Sequence, residues 1–187
     1  GLVLRLQSGF YHVQTEQGFY TCQLRGRLKR GRVKGDIVAV GDRVQITPFE
    51  DHTGAIEVVE ERSSELVRLA PTPRGEYKQI LLSNLDQIVL VFACAQPSPK
   101  LRMLDRFLVI CEKQKIPPLI VANKVDLLGF EQAKQLFAAY APLEYPVIYT
   151  SVQSERGIDE LHQHLKGKIS GLVGPSGVGK SSLLNAI

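Results

Sequence analysis

The first 68 residues alternate between apolar and polar positions, which is the pattern of strands with one buried face. The stretches LVLRLQ, FYHVQT, GFYTCQL, DIVAV, DRVQITP and AIEVVEE follow one another, with short glycine-containing turns between them. Five or six short strands in so few residues predict a small closed all-β barrel. The OB-fold is the leading candidate for this barrel, and OB-folds bind oligonucleotides.

Residues 69–83 include APTPRGEYKQ, whose two prolines and glycine predict a linker. From residue 84 to residue 187 the pattern changes to nearly continuous apolar runs, such as DQIVLVFAC and PPLIVA, alternating with segments of helical period. Continuous apolar strands are typical of a parallel sheet that is covered on both faces. With YPVIYTS and KISGLVG there are four such strands, so we predict an α/β domain with a parallel sheet.

The segment GPSGVGKS, from Gly174 to Ser181, matches the phosphate-loop pattern G-x-x-x-x-G-K-[ST] between a predicted strand and a predicted helix. Glycines let backbone N–H groups form a nest around phosphate oxygens, and the start of the helix adds partial positive charge. We expect Lys180 to reach the β- and γ-phosphates as the catalytic transition-state stabiliser, and Ser181 to bind Mg²⁺. The predicted phosphate-binding residues are Gly174, Pro175, Ser176, Gly177, Val178, Gly179, Lys180, Ser181 and Ser182.

The motif NKVD, at residues 123–126, follows the apolar run PPLIVA and predicts recognition of guanine. Guanine presents N1–H and N2–H₂ donors that the Asp126 carboxylate can accept together, whereas adenine would leave the carboxylate unpaired. Asn123 would contact the N7 side of the base and brace nearby loops, while the stem of Lys124 would lie across the base plane. After the next strand, Ser151 and the N–H of Val152 would hold guanine O6, because ligands bind at the carboxyl ends of parallel strands.

The base motif precedes the phosphate loop, which is the reverse of the order in most GTPases. One interpretation is that two GTPase domains are joined, but no phosphate loop lies upstream of NKVD, where the barrel is predicted. The other is circular permutation, which a parallel α/β domain tolerates when its old termini lie close together. We therefore predict a circularly permuted P-loop GTPase domain over residues 84–187 that is incomplete at its C-terminus.

Charge is unevenly distributed in this chain, whose net charge is only +4. The stretch RGRLKRGRVK concentrates cations near the start of the chain and predicts contact with a polyanion such as RNA. Two alternatives stay open: this stretch is a solubilising loop, or the barrel is only a spacer or protein-docking module. The predicted RNA-binding residues are Arg25, Arg27, Lys29, Arg30, Arg32 and Lys34.

The three cysteines are far apart and form no CxxC pair, so the sequence predicts neither a disulfide framework nor a zinc site. This cysteine usage indicates a reducing cytoplasm. No apolar run approaches the roughly 18 residues of a membrane span, and no secretory apolar segment follows the N-terminus. We therefore expect a cytoplasmic protein without a membrane partner.

A predicted OB-like barrel, LDRFL, and NKVD ahead of GPSGVGKSSLLNAI together resemble the bacterial ribosome small-subunit-dependent GTPase A family, over essentially all 187 residues. The resemblance implies a GTPase that converts GTP to GDP with Mg²⁺ and acts in late maturation of the small (30S) ribosomal subunit. It implies stimulation by that subunit, contact of the barrel with 16S rRNA, and a monomer.

In that family, a switch region with a Mg²⁺-binding threonine, a D-x-P-G motif and a Zn²⁺-binding domain follow the phosphate loop. This chain ends at Ile187, so we expect it to hold guanine and the β-phosphate without the parts that sense the γ-phosphate and place the attacking water. Two other functions stay open from the residues alone. One is an ATP-using P-loop protein with an incidental NKVD, and the other is a nucleotide-bound RNA scaffold that does not hydrolyse its nucleotide.

Overall fold

The computed structural model describes residues 1–28, 36–72 and 75–187. These residues form two compact units, an N-terminal unit (Gly1–Leu85) and a C-terminal unit (Asp86–Ile187). Within the described ranges, no helix combines the length and the apolar character needed to cross a membrane.

The N-terminal unit is built on a five-stranded sheet in the order β1-β2-β3-β5-β4. All neighbouring strands are antiparallel except β3 and β5, which are parallel. The strands are β1 (Leu2–Gln7), β2 (Phe10–Thr15), β3 (Gly18–Leu24), β4 (Val44–Pro48) and β5 (Thr53–Val59).

This sheet closes on itself, because the start of β1 also pairs with β4. The backbone N–H of Val44 donates to the Gly1 carbonyl at 2.9 Å, and the Gly1 amino group donates to the Val44 carbonyl at 2.7 Å. Alternate residues of the strands point inward and fill the interior, which confirms the prediction of a small OB-like barrel. The buried core residues are Val3, Tyr11, Val13, Cys22, Val38, Val44 and Ile56.

The predicted strand DIVAV, residues 36–40, is wrong: this segment is a bend and turn outside the sheet. Its apolar side chains still enter the core, since Val38 and Ala39 are each 2% exposed. The turn is fixed by Asp42, whose carboxylate accepts the N–H of Ala39 at 2.8 Å. An Asp that bonds to a nearby backbone group competes with strand pairing, which explains the difference.

Arg62 ties this turn to the rest of the unit. Its guanidinium donates to both carboxylate oxygens of Asp42 at 2.7 Å, and Asp42 is fully buried. Burial alone would raise the pKa of Asp42, but hydrogen bonds from Arg62, Ser83 and Ala39 outweigh it and hold the pKa below its ordinary value. The pair therefore stays charged in the interior.

The predicted linker over residues 69–83 is also wrong. Strands β6 (Glu65–Thr72) and β7 (Gly75–Ser83) pair in an antiparallel hairpin that belongs to the N-terminal unit. Pro71 pairs with Glu76 near the end of β6, next to the connection between the strands. Proline is found on edge strands of sheets, and β6 is an edge strand because its sheet has only two strands in the described residues.

The C-terminal unit alternates strands and helices, as predicted. Its four strands are all parallel, in the order β10-β9-β8-β11. Short 3₁₀ turns occupy Val125–Leu127 and Ala138–Leu143. The elements are β8 (Gln87–Ala93), α1 (Leu101–Gln114), β9 (Pro118–Asn123), α2 (Phe130–Phe137), β10 (Val147–Thr150), α3 (Ile158–Leu165), β11 (Ser170–Val173) and α4 (Lys180–Ala186).

Helices cover both faces of this sheet, which is why every residue of β8 is buried. On one face, Val89 and Val91 pack with Leu161 of α3 and Leu183 of α4. On the other face, the ring of Phe92 meets the ring of Phe107 from α1, with centroids 6.5 Å apart. The packing fixes the four strands side by side, so the loops after their carboxyl ends gather along one edge.

Candidate functional site

The predicted site residues lie where β9, β10 and β11 end. Asn123 is the last residue of β9, Ser151 follows β10, and the phosphate loop from Gly174 follows β11. In the register of the sheet, Thr150 of β10 pairs with Asn123 of β9. The two motifs, which begin 51 positions apart in sequence, therefore open onto the same edge of the sheet.

Asn123 joins the base motif to the phosphate loop. Its side-chain amide donates to the Val178 carbonyl at 2.9 Å, and its amide oxygen accepts the Thr150 hydroxyl at 2.9 Å. Asn123, Thr150 and Val178 are all almost completely buried. Hydrogen bonds between buried groups are costly to lose, so this side chain fixes three loops relative to one another. The predicted bracing role of Asn123 therefore has a definite geometry.

Gly179 allows the phosphate loop to approach Asn123 this closely. A Cβ at position 179 would lie 2.4 Å from the Asn123 side-chain nitrogen, and the residue has φ +97°. Both facts exclude an ordinary L side chain. The glycine of the pattern G-x-x-x-x-G-K therefore serves packing against the base motif in addition to loop flexibility.

Lys124 makes a second connection between the motifs. Its ammonium group donates to the Gly177 carbonyl of the phosphate loop at 2.8 Å, and it also donates to the Gln96 carbonyl after β8. These two carbonyls hold the ammonium group at the end of the Lys124 side chain. Its aliphatic stem therefore bridges the space between the loops.

Asp126 stands in the 3₁₀ turn after Asn123, and its carboxylate is exposed. Within the described ranges it forms no ion pair and accepts no side-chain hydrogen bond. Its charge acts on Cys94, just after β8: burial raises the pKa of the Cys94 thiol to about 11, and the nearby negative charge of Asp126 adds to that shift. The carboxylate is thus available to an external donor.

Ser151 and Val152 begin the loop after β10. Ser151 is fully buried, and its hydroxyl oxygen accepts the N–H of Ser154 at 3.2 Å, so it organises the loop itself. The N–H of Val152 donates to no residue in the part of the chain that the structure describes. Of the two predicted O6 contacts, the Val152 N–H is free to donate, and the buried Ser151 hydroxyl accepts from Ser154 but keeps its own proton to donate.

The phosphate loop begins with Gly174 and leads into α4. Lys180 folds back over the loop and donates to the carbonyls of Gly174 at 2.9 Å and Pro175 at 2.7 Å. Ser181 and Ser182, in the first turn of α4, have exposed side chains. Lys180 is therefore close to the loop interior, and both serines face outward where polar ligands can reach them.

The residues fit magnesium better than zinc. The exposed Ser181 hydroxyl is an oxygen donor of the kind that Mg²⁺ accepts alongside phosphate oxygens and water. No group of three or more His, Cys, Asp or Glu side chains is close enough together to hold a metal within the described ranges. The three cysteines are free and buried, an arrangement that does not fit a Zn²⁺ site.

The basic stretch lies in the N-terminal unit. Arg25 and Arg27 both pair with Glu57, at 2.6 and 2.9 Å, and both are exposed. The hydrogen bond from Arg25 holds the pKa of Glu57 below its ordinary value. Two guanidinium groups share one carboxylate, so this surface keeps a positive charge. The other predicted RNA-binding residues, Lys29, Arg30, Arg32 and Lys34, lie outside the described residues.

Sequence reasoning missed Thr150 and Gln96. Thr150 belongs to the predicted strand, and nothing in the sequence distinguishes its buried hydroxyl from those of other strand residues. Gln96 contributes only its backbone carbonyl, which carries no sequence signal. Both contacts depend on tertiary packing.

These features define the class of protein: an OB-like barrel combined with a P-loop nucleotide-binding domain of the GTPase type in which the base motif comes before the phosphate loop. Comparison with known proteins is more specific. The family described as RsgA GTPase matches residues 59–187, and the RsgA N-terminal domain matches residues 1–56. This chain belongs to the RsgA GTPase family.

Curated relatives agree along the whole chain. Small ribosomal subunit biogenesis GTPase RsgA of Gemmatimonas aurantiaca is 44% identical over 191 residues, and the match covers 100% of this chain and 62% of the relative. The protein of the same name from Alkaliphilus metalliredigens is 38% identical, with 100% and 60% covered. This chain therefore spans about three fifths of the length of these relatives.

Solved structures show the same fold. The crystal structure of YjeQ from Thermotoga maritima has a TM-score of 0.80 and 36% identity, covering 100% of this chain and 64% of that one. The structure of YloQ, described as a circularly permuted GTPase, has a TM-score of 0.71 and 34% identity, covering 100% of this chain and 63% of that one. Both similarities support the permuted order read from the sequence.

Proposed function

We propose that this chain supplies the nucleotide-binding part of a GTPase that acts in biogenesis of the small ribosomal subunit. The observation that supports this most is the Asn123 side chain, which connects the base motif to the phosphate loop through buried hydrogen bonds. Two motifs held together in this way form one nucleotide site. The names of the curated relatives supply the biological setting.

At the base, the exposed Asp126 carboxylate accepts N1–H and N2–H₂ of guanine, and the free N–H of Val152 donates to O6. The remaining N–H of the Asn123 amide faces N7, while the stem of Lys124 lies against the base. Adenine offers neither the paired donors nor the O6 acceptor. The site therefore discriminates through groups that adenine would leave unpaired.

At the phosphates, the loop from Gly174 to Gly179 supplies backbone N–H groups, and Lys180 moves from its loop carbonyls to the β- and γ-phosphates. Ser182 contacts the α-phosphate. Ser181 would hold Mg²⁺, which neutralises charge that develops on the phosphoryl oxygens during hydrolysis. Lys180 stabilises the same charge from the protein side, which makes it the catalytic residue of this segment.

The N-terminal barrel contacts 16S rRNA in this proposal. OB-folds bind oligonucleotides, and the net positive charge left by Arg25 and Arg27 beside Glu57 favours phosphate. We include Lys29, Arg30, Arg32 and Lys34 in the same surface from the sequence. The free, buried cysteines are compatible with a reducing cytoplasm, and we propose a monomer there.

The substitution Asp126→Asn tests the base assignment. An amide donor suits the extra carbonyl of xanthine, so the variant should lose affinity for GDP and gain affinity for xanthosine diphosphate in calorimetric titration. An ATP-using protein would show no such exchange. Hydrolysis is tested on the protein that carries this chain, as GTP turnover with and without purified small subunits. Turnover that the subunits leave unchanged would contradict the ribosomal role.

A further inference from the structure

The loop after β10 is closed at both ends by backbone contacts. The N–H of Ser151 donates to the Arg156 carbonyl at 3.0 Å, so the start and the end of the loop are paired. Gly157 follows with φ +67°, and a Cβ there would lie 2.3 Å from the Tyr149 carbonyl. The backbone of Arg156 is therefore tied to Ser151, the residue next to Val152.

The side chain of Arg156 contacts the beginning of α2. Its guanidinium carbon lies 4.3 Å from the centre of the Phe130 ring, which is a cation–π contact. The Phe130 ring also meets the ring of Tyr149 edge-to-face, with centroids 5.6 Å apart. Phe130 is thus held between β10 and the loop that follows it.

Phe130 is in turn connected to the base motif. It begins α2, four residues after Asp126, and the short connection is fixed by the Gly129 N–H, which donates to the Val125 carbonyl at 2.8 Å. The Phe130–Arg156 contact therefore joins the segment that carries Asp126 to the loop that carries Val152. These are the two sides of the guanine site.

We propose that Arg156 and Phe130 are positioning residues for guanine recognition, which hold the Val152 N–H in place to donate to O6. This inference rests on the proposed function, since it concerns the same base. Arg156 makes no contact with the nucleotide in this account. It acts through the loop, and its effect depends on the O6 atom of the ligand.

The test uses the Arg156→Ala variant of the whole chain and three diphosphates. GDP and inosine diphosphate both keep O6, whereas 6-thioguanosine diphosphate replaces O6 by sulfur, a much weaker acceptor, and keeps the N1–H and N2–H₂ donors. We expect faster dissociation of GDP and of inosine diphosphate by about two- to fivefold, the size of an exposed cation–π contact. Dissociation of the thio analogue should change far less.

The matched control is Lys134→Ala. The Lys134 ammonium group lies 4.4 Å from the same ring, but it belongs to α2, and its contacts among the described residues are with Phe130 and Glu131 of that helix. Its removal should leave all three dissociation rates unchanged. Phe130→Leu should likewise speed the dissociation of GDP and inosine diphosphate more than that of the thio analogue. Arg156→Lys should have dissociation rates between those of the wild type and Arg156→Ala, because a lysine stacks less well than a guanidinium.

If Arg156→Ala speeds the dissociation of all three ligands equally, or of none of them, the inference is overturned, since a general loosening of the fold does not depend on O6. Faster dissociation of only the ligands that keep O6, seen in Lys134→Ala, would overturn it as well. Failure of the proposed function is a different result: the wild-type chain would then bind GDP and ADP with equal affinity.

Discussion

Replacing Asn123 by alanine tests how the two motifs are joined. The substitution removes two hydrogen bonds of 2.9 Å and leaves the Thr150 hydroxyl and the Val178 carbonyl without partners in a buried setting. Each unsatisfied buried group costs about 1–3 kcal/mol. We therefore expect the free energy of unfolding to fall by about 3 kcal/mol, the lower half of the summed range, because water can reach part of the space.

The matched variant is Thr150→Val, which keeps the shape of the side chain and removes one of the two bonds. Alone it should cost about 1–2 kcal/mol, since it leaves only the Asn123 amide oxygen unpaired. In the double variant that oxygen is gone as well. The hydroxyl that Asn123→Ala leaves unpaired is gone too, so the cost should lie about 1–2 kcal/mol below that of Asn123→Ala alone, giving a coupling of about 2–4 kcal/mol.

The assay is urea unfolding followed by far-ultraviolet circular dichroism, which reports the C-terminal unit because α1–α4, all the α-helices of the described residues, lie there. GDP titration of the same variants measures the effect on nucleotide binding. We expect Asn123→Ala to lose at least about tenfold in affinity for GDP, equivalent to about 1.4 kcal/mol, because the two motifs are no longer joined. Strictly additive unfolding costs, or unchanged GDP affinity, would show that Asn123 does not join the two motifs.

Two further predictions concern single positions. Gly179→Ala forces a Cβ against the Asn123 side chain and a positive φ on alanine, so GDP affinity should fall at least about tenfold. The control is Gly26→Ala, where an added Cβ meets no atom within 4 Å and GDP affinity should not change. Asp42→Asn breaks the buried pair with Arg62 and should lower the free energy of unfolding by about 3 kcal/mol at neutral pH. Because the folded-state pKa of Asp42 is lowered, this stabilisation is present above the unfolded pKa of about 3.9 and is lost as pH falls through the folded value. The difference in thermal unfolding midpoint between wild type and variant should therefore stay constant from pH 7 to about pH 4 and shrink as the pH falls further. A difference that stays constant below about pH 4 would contradict the assignment.

The sequence predicted the C-terminal unit well because its signals are local. Each of the four strands is a nearly continuous apolar run, and each helix has a clear apolar face, so alternation and parallel pairing follow from pattern alone. The errors lie in the N-terminal unit, where tertiary contacts override the pattern. DIVAV has the composition of a strand, but the buried carboxylate of Asp42 holds it as a turn.

The hairpin of β6 and β7 was missed for a related reason. Pro71 and Gly75 read as linker residues, yet both stand near the connection between two paired strands, where neither interrupts the pairing. At the site, the chemistry of Asp126 and Lys180 was visible in the motifs. The contacts that align those motifs were not, because Thr150 and the close approach of Gly179 to Asn123 arise only from the folded chain.

We propose that NKVD and GPSGVGKS, although reversed in order, form one guanine-nucleotide site. Calorimetric titration of the wild-type chain with GDP and with ADP tests this most directly. We expect one binding site and an affinity for GDP at least about 100-fold higher than for ADP, because adenine leaves the Asp126 carboxylate and the Val152 N–H unpaired. Equal affinities for the two nucleotides would contradict it.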